Sequence, residues 1–298
     1  MIQQNLGELA ALGTALCWTI SGITFESAGK KVGSLSVNYI RLILGFIFIS
    51  TYSFFSRGML LPLDATKNNW AWLMVSGFIG FFLGDLFLFQ SYVEVGSRIS
   101  LLIMASSPPI SAFLGFVFLG ERLELISLLG MIITIIGIAI VILNKETGES
   151  KVKITYSEKG LIYAFLGAFG QALGLICSKK GMGDYNPLAA TQIRIISGFI
   201  SFTILFIIAK KFGDLKIAFK NKKAMGVIAI GSFFGPFIGV TLSLVSLKYT
   251  SAGISSTITS IMPVTIIPFS ILIFKEKVKP KEILGAIISV IGVGILFI

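Results

Sequence analysis

Histidine is missing from all 298 residues of this chain, and cysteine occurs only twice. Without histidine the chain lacks the one side chain that ordinarily titrates near neutral pH, and with it the usual general base and the commonest metal ligand. Cys17 and Cys177 lie far apart, each inside an apolar run, so neither a disulfide framework nor a thiolate metal site is expected. Charged residues make up only 13% of the chain, against about 25% in an ordinary soluble domain. No GxxxxGK[ST] segment occurs, which argues against ATP hydrolysis. Two further classes lose support for similar reasons. A membrane enzyme acting on lipids needs histidines or carboxylates clustered at a water interface. A structural or channel subunit with a charged pore needs rings of like charge. Neither pattern is present, and no cofactor or metal is expected.

Apolar sequence is what the chain has in abundance. Hydrophobic residues are 55% of it, 26 of them phenylalanine. They gather in runs long enough to cross a hydrocarbon core about 30 Å thick as helices. The period-two alternation of a membrane barrel does not appear. Ten spans are expected, at about 6–26, 36–56, 70–92, 97–119, 125–143, 159–178, 188–209, 223–246, 252–274 and 281–298. The fold class is therefore an all-α membrane protein, with the lipid bilayer as its solvent. The first span lacks a basic leader and a small-residue cleavage site and is not expected to be a signal peptide. The net charge of +11 sits in loops, where lysines set topology and meet anionic headgroups, so nucleic acid is not an expected partner.

The polar stretch 144–158 divides the chain into two sets of five spans, 1–143 and 159–298, and the sets repeat. An offset of 155 pairs Gly80 with Gly235, Gly84 with Gly239, Pro108 with Pro263 and Glu121 with Glu276. It also pairs Gly130 with Gly285 and Gly137 with Gly292. In the first two spans of each set an offset of 153 pairs Trp18 with Gln171 and Arg41 with Arg194. An odd number of spans per repeat makes the second copy enter the membrane from the opposite side. The expected architecture is thus two inverted five-helix repeats, an arrangement of secondary transporters with a site near the midplane.

Prolines interrupt the apolar runs at matching places. A proline removes a backbone donor and displaces the carbonyl four residues earlier. In lipid the freed groups need partners, so such breaks face protein or a water-filled cavity. Breaks are expected at Pro108, Pro236, Pro263 and Pro268. Ser106, Ser107, Thr257, Thr259 and Ser260 stand beside them, to satisfy the freed groups or touch a ligand.

The segment "ALCWTISGITFESAGKKVGSLSVNYIRLILG" resembles the first two spans of the EamA family in the drug/metabolite transporter superfamily. So do "LFLFQSYVEVGSRIS" and "LSLVSLKYTSAGISS", each followed by a proline and then by "GERL" or "KEKV". The resemblance covers nearly the whole chain. It implies a ten-span inverted-repeat carrier for small metabolites such as amino acids, nucleotide precursors or drugs. It further implies a cavity built by spans 1, 3, 4, 6, 8 and 9, which makes Trp18, Gln90, Ser106, Gln171 and Ser260 candidate lining residues. Small multidrug exporters of the superfamily resemble a single repeat and carry a proton-coupling glutamate in span 1. Trp18 and Gln171 stand at the best-aligned positions here, so exchange of a cation for protons loses its main residue.

Charges inside spans are costly and are candidates for function. Arg41 and Asp85 fall at similar depth from the lysine-rich face, about 7–10 Å by helical rise, and are expected to face each other. Glu26, ending span 1 on that face, is the rival partner. Arg194 is expected near the opposite surface. Asp85 has no acidic counterpart, because its repeat position is Val240, and it joins the candidate substrate contacts. Loops on one side hold 17 basic residues against 6 on the other. The positive-inside rule then places the lysine-rich loops in the cytoplasm and both termini outside.

Overall fold

The computed structural model describes residues 6–119, 124–144, 153, 154, 156–250 and 252–296. Glu121, one of the duplicated acids, lies outside them. α1 (Leu6–Val32) and α2 (Ser34–Arg57) meet at Gly33, whose φ of 81° lets the chain turn without a linker. α3 (Lys67–Ser76) opens on a reciprocal cap, Thr66 with Asn69, which satisfies free amides at its first turn. It runs through a π-helical turn, Gly77–Gly84, into α4 (Asp85–Met104). Together these span 38 residues, about 57 Å at 1.5 Å per residue, nearly twice a hydrocarbon core. The stretch bends at Gly96, where φ is 82°, a value that a side chain strongly disfavours. α5 (Ser107–Leu119) and α6 (Leu125–Ile142) follow.

A two-residue antiparallel pair, Leu143 with Ile154 and Asn144 with Lys153, joins the ends of the connecting stretch. The second set comprises α7 (Glu158–Met182), α8 (Pro187–Ala209), α9 (Phe212–Lys220) and α10 (Lys222–Ser232). A second π-helical turn, Phe233–Gly239, leads into α11 (Val240–Tyr249). α12 (Ala252–Thr259), α13 (Met262–Phe274) and α14 (Pro280–Leu296) complete it. α9 occupies a stretch expected to be loop. It buries Leu215 and Ala218, leaves Ile217 and Phe219 exposed among lysines, and has the make-up of a helix lying in the membrane interface.

Among the described residues eight helical stretches are long and apolar enough to cross a membrane, where ten spans were expected. The difference has two sources. The expected fourth span is split, half of it fused to the bent 38-residue stretch and half forming the 13-residue α5. The expected tenth, α14, has 17 described residues in its helix.

The sequence repeat reappears as repeated backbone devices. Both π-helical turns fall at the same repeat position. α4 stops at Met104 and α5 begins at Ser107, while α12 stops at Thr259 and α13 begins at Met262. The prolines Pro108 and Pro263 therefore sit in the first turn of a new helix, where the missing amide costs nothing. They mark breaks instead of kinks. A hydroxyl bond steadies each copy: Ser91 to Ser100 at 2.7 Å, and Ser246 with Ser255 at 2.8 Å. α6 and α14 touch backbone to backbone, since a Cβ on Gly137 would lie 2.4 Å from the Ser289 nitrogen and one on Gly292 2.4 Å from that of Thr134. Such close approach between helices is how small residues stabilise packing in lipid.

Candidate functional site

A central cavity of about 150 Å³ lies between the two sets of helices. Trp18 and Phe25 reach it from α1, Arg41 from α2, Phe81 from the first π turn and Asp85 from the start of α4. Gln171 comes from α7, Arg194 from α8 and Pro236 from the second π turn. The two helix breaks bring Ser107, Pro108, Ser260 and Pro263 to the same wall. A π turn shifts the hydrogen-bond register of its helix and recurs at functional positions in helices.

Buried charge is concentrated on one side of this cavity. Arg41 is 3% exposed and Asp85 4%. The Arg41 Nη2 group is hydrogen-bonded to Asp85 Oδ2. Its Nε donates to Asn38 Oδ1 at 3.0 Å, and the Asn38 amide donates to the Asp85 carbonyl at 3.1 Å. The other Asp85 oxygen accepts from Gln171 Nε2 at 2.6 Å. A buried ion pair holds only where further hydrogen bonds satisfy its remaining groups, and Asn38 and Gln171 meet that need. The Arg41 guanidinium also stands over Phe89, 4.5 Å from the ring centre. Asn38 escaped the sequence reading, although its place one helical turn before Arg41 puts both on one face.

Arg194 requires a correction. Expected near the far surface, it is instead 4% exposed, and its guanidinium stands 4.7 Å from the Phe81 ring centre at the cavity. The expectation took depth from the α-carbon alone; a long side chain reaches several ångströms along the helix. Arg41 lies 5.7 Å from the same ring, so the two repeat-related arginines approach Phe81 together.

Most of the other expected positions separate from the cavity. Gln90 accepts from Ser34 at 2.6 Å and donates to Glu94 at 3.1 Å, away from the lining. Ser106, outside the lining, donates to the Ile103 carbonyl at 2.7 Å, while Ser260 stays in the lining and donates to the Ser256 carbonyl at 2.7 Å. Thr257 turns toward α14, 3.4 Å from the Val293 carbonyl. Pro268 lies within α13, outside the lining.

Glu26 is fully buried at the lysine-rich end of the cavity, not beside Arg41. It accepts from the Ser97 amide at 2.6 Å and from Lys30 at 2.5 Å. Immediately beyond, Arg98 bridges Glu276 at 2.7 Å and Glu282 at 2.8 Å. The Tyr156 hydroxyl donates to Glu282 at 2.9 Å, and burial pushes that phenol up to about 12. This cluster ties α1, α4, α14 and the connecting stretch together. Among the described residues no group of three or more histidine, cysteine or acidic side chains is arranged to hold a metal ion.

Comparison with known proteins agrees with this geometry. The EamA-like transporter family matches residues 5–143 and again 158–298. A protein of Archaeoglobus fulgidus named as an uncharacterized transporter is 22% identical over 97% of both chains. Another so named, from Clostridium kluyveri, is 21% identical over 77% of this chain and 73% of its own. One solved crystal structure superposes with a TM-score of 0.67 at 15% identity, over 97% of this chain and 95% of that one, which establishes likeness of fold.

Proposed function

Because the chain belongs to the EamA-like transporter family, we propose that it is a secondary transporter carrying a small metabolite by alternating access through the central cavity. The observation that carries this reading is the cavity itself. It is walled by helix breaks and π turns at equivalent positions of both repeats, and it holds a buried ion pair. Irregular backbone is tolerated at membrane depth where it lines such a space. In this reading the helices make ten crossings as two inverted five-span repeats. Trp18, Asp85, Gln171, Ser107 and Ser260 contact the substrate, drawn from amino acids, nucleotide precursors and drug-like compounds. Rocking of the halves opens one end while closing the other. The Glu26 and Arg98 clusters close the lysine-rich end, and Arg41 with Asp85 forms the pair beside the substrate that changes as that end opens.

Counterflow in proteoliposomes with a panel of labelled metabolites tests carriage: exchange of at least one solute is expected, and exchange of none removes the reading. In this reading the protein lies in the cell membrane with the lysine-rich loops in the cytoplasm and both termini outside. A single cysteine introduced at Asn221, in the connection between α9 and α10, should stay unlabelled by an impermeant reagent in intact cells. Labelling there reverses the orientation. For the ion pair, Arg41→Asp and Asp85→Arg should each abolish transport, and the double swap should restore part of it.

A further inference from the structure

Of the charged groups facing the cavity, one forms no ion pair among the described residues. Asp85 is the only acid in the lining among the described residues, and both its oxygens are engaged, one by Arg41 and the other by Gln171. Arg194 is 4% exposed, forms no ion pair among the described residues, and its Nε is buried without a hydrogen-bond partner. Its contact with Phe81 is attractive, but an aromatic ring does not neutralise a cation. Burying an unpaired charge is costly, so the site is incomplete as it stands. A Cβ on Gly80 would lie 3.2 Å from Arg194 Nη2 and 3.8 Å from Gln171 Oε1, so the glycine leaves that end of the guanidinium uncovered.

The geometry points to an organic monoanion as the solute of this cavity, its carboxylate held by Arg194 and its apolar body set against the aromatic walls. The inference rests on the transporter reading and narrows its substrate class. Three observations fix the chemistry. One arginine is unpaired, which calls for one negative charge, and a guanidinium presents donors matched to a carboxylate. Trp18, Phe25 and Phe89 line the remaining wall, which suits an apolar body. The volume of about 150 Å³ equals that of a cavity known to accept benzene. A free amino acid fits less well, because its ammonium finds no unengaged carboxylate in the lining.

Four probes that share a phenyl ring separate the possibilities: benzoate, benzamide and benzylamine, which are of similar size, and the larger L-phenylalanine. Binding is read as the rise in melting temperature of the purified full-length protein, followed by a dye that reacts with the buried Cys17 as it becomes exposed. Benzoate should stabilise saturably and bind at least about tenfold more tightly than the other three. R194Q should weaken benzoate by about ten- to hundredfold, the usual range for one hydrogen bond to a charged group, and leave benzamide unchanged. Melting of R194Q without probe checks that it is folded. R194K keeps the charge but loses the fork, and should lie between wild type and R194Q; if R194Q does not fold, a fall in benzoate affinity in R194K with benzamide unchanged carries the test. The inference is overturned if benzylamine or phenylalanine matches benzoate, if R194Q binds benzoate as wild type does, or if benzoate has no effect. Counterflow separates the two levels. Exchange of neutral or cationic solutes by a protein indifferent to benzoate removes the monoanion and keeps carriage. Arg194-dependent benzoate binding with no counterflow of any solute removes carriage and keeps the site.

Discussion

Arg41 and Arg194 occupy the same position in the two repeats, yet their surroundings differ almost completely. Around Arg41 stand Asn38, Asp85 and the Phe81 carbonyl. At the corresponding positions the second repeat has Thr191, Val240 and Pro236, so it supplies neither the side-chain amide nor the carboxylate that hold Arg41. The backbone devices, by contrast, are doubled: the π turns, the broken helices, the serine bridges and the glycine contact. Lipid imposes the same backbone constraints on both copies, since each buried amide and carbonyl needs a partner there. A polar site needs its charged groups only once. Duplication has therefore kept the framework in two copies while leaving the chemistry lopsided.

Writing second-repeat residues into the first should break that comparison most severely at Asp85. Asp85→Val leaves Arg41 buried without a counter-charge and should cost about 3–5 kcal/mol, seen as a large fall in thermal stability. Adding Arg41→Met should return most of the loss. If the single variant is as stable as wild type, the pair is not what holds this region.

The next effect lies at the lysine-rich end. Arg98 has Gly253 as its repeat partner. Arg98→Gly removes both bonds to Glu276 and Glu282 and should cost about 2–3 kcal/mol, at the strong end for hydrogen bonds between charged groups. Its second signature is faster labelling of a cysteine placed at Ser107 by a reagent supplied from the lysine-rich side. Without that increase the cluster is a brace and not a closure.

A subtler pair of variants sharpens the shared framework. Ser100→Ala and Ser255→Ala each delete one hydroxyl bridge and should cost about 1 kcal/mol, nearly equally. A markedly unequal cost would show that the copies share geometry without sharing energetics.

The smallest effect is at the surface, where first-repeat Asp64 accepts from second-repeat Tyr185 at 2.8 Å and from Arg57 at 2.6 Å. Burial by itself would raise the Asp64 carboxyl, but the Tyr185 and Arg57 bonds outweigh it and hold the group below its usual value. The contribution is thus present above the ordinary carboxylate range and lost as the pH falls through the lowered folded value. Because the site is exposed, it is worth about 0.2–1 kcal/mol. Asp64→Asn should flatten this small acid-side loss in a melting series below pH 5.

Depth along a helix was legible in the sequence, rotation about it was not. Counting residues from a span end puts Arg41 and Asp85 at one level, where they meet. The resemblance put Gln90, on the same span, in the cavity wall, and there it misleads. The π turn just before Asp85 inserts an extra residue into the helical register, which rotates everything after it by about 100° relative to a straight helix. Gly80 and Gly84 pair with Gly235 and Gly239 across the repeat and were the available sign of an irregular turn. They were visible only as matched glycines. Arg194 was misplaced for another reason: its α-carbon depth is readable, but the reach of its side chain toward Phe81 depends on a neighbour more than a hundred positions away in sequence. α9 was hidden because Asp214 and two lysines interrupt its five apolar residues within nine positions, too short a run to span a membrane.

The paired π turns hold slack as well as shape. Each stores one residue beyond the α-helical count, about 1.5 Å of length and 100° of twist. Passing that residue along the helix lets the segments on either side screw past each other while each backbone donor trades one carbonyl for the next. In hydrocarbon, where an orphaned amide costs several kcal/mol, such gearing is a route to movement that does not require the chain to come undone.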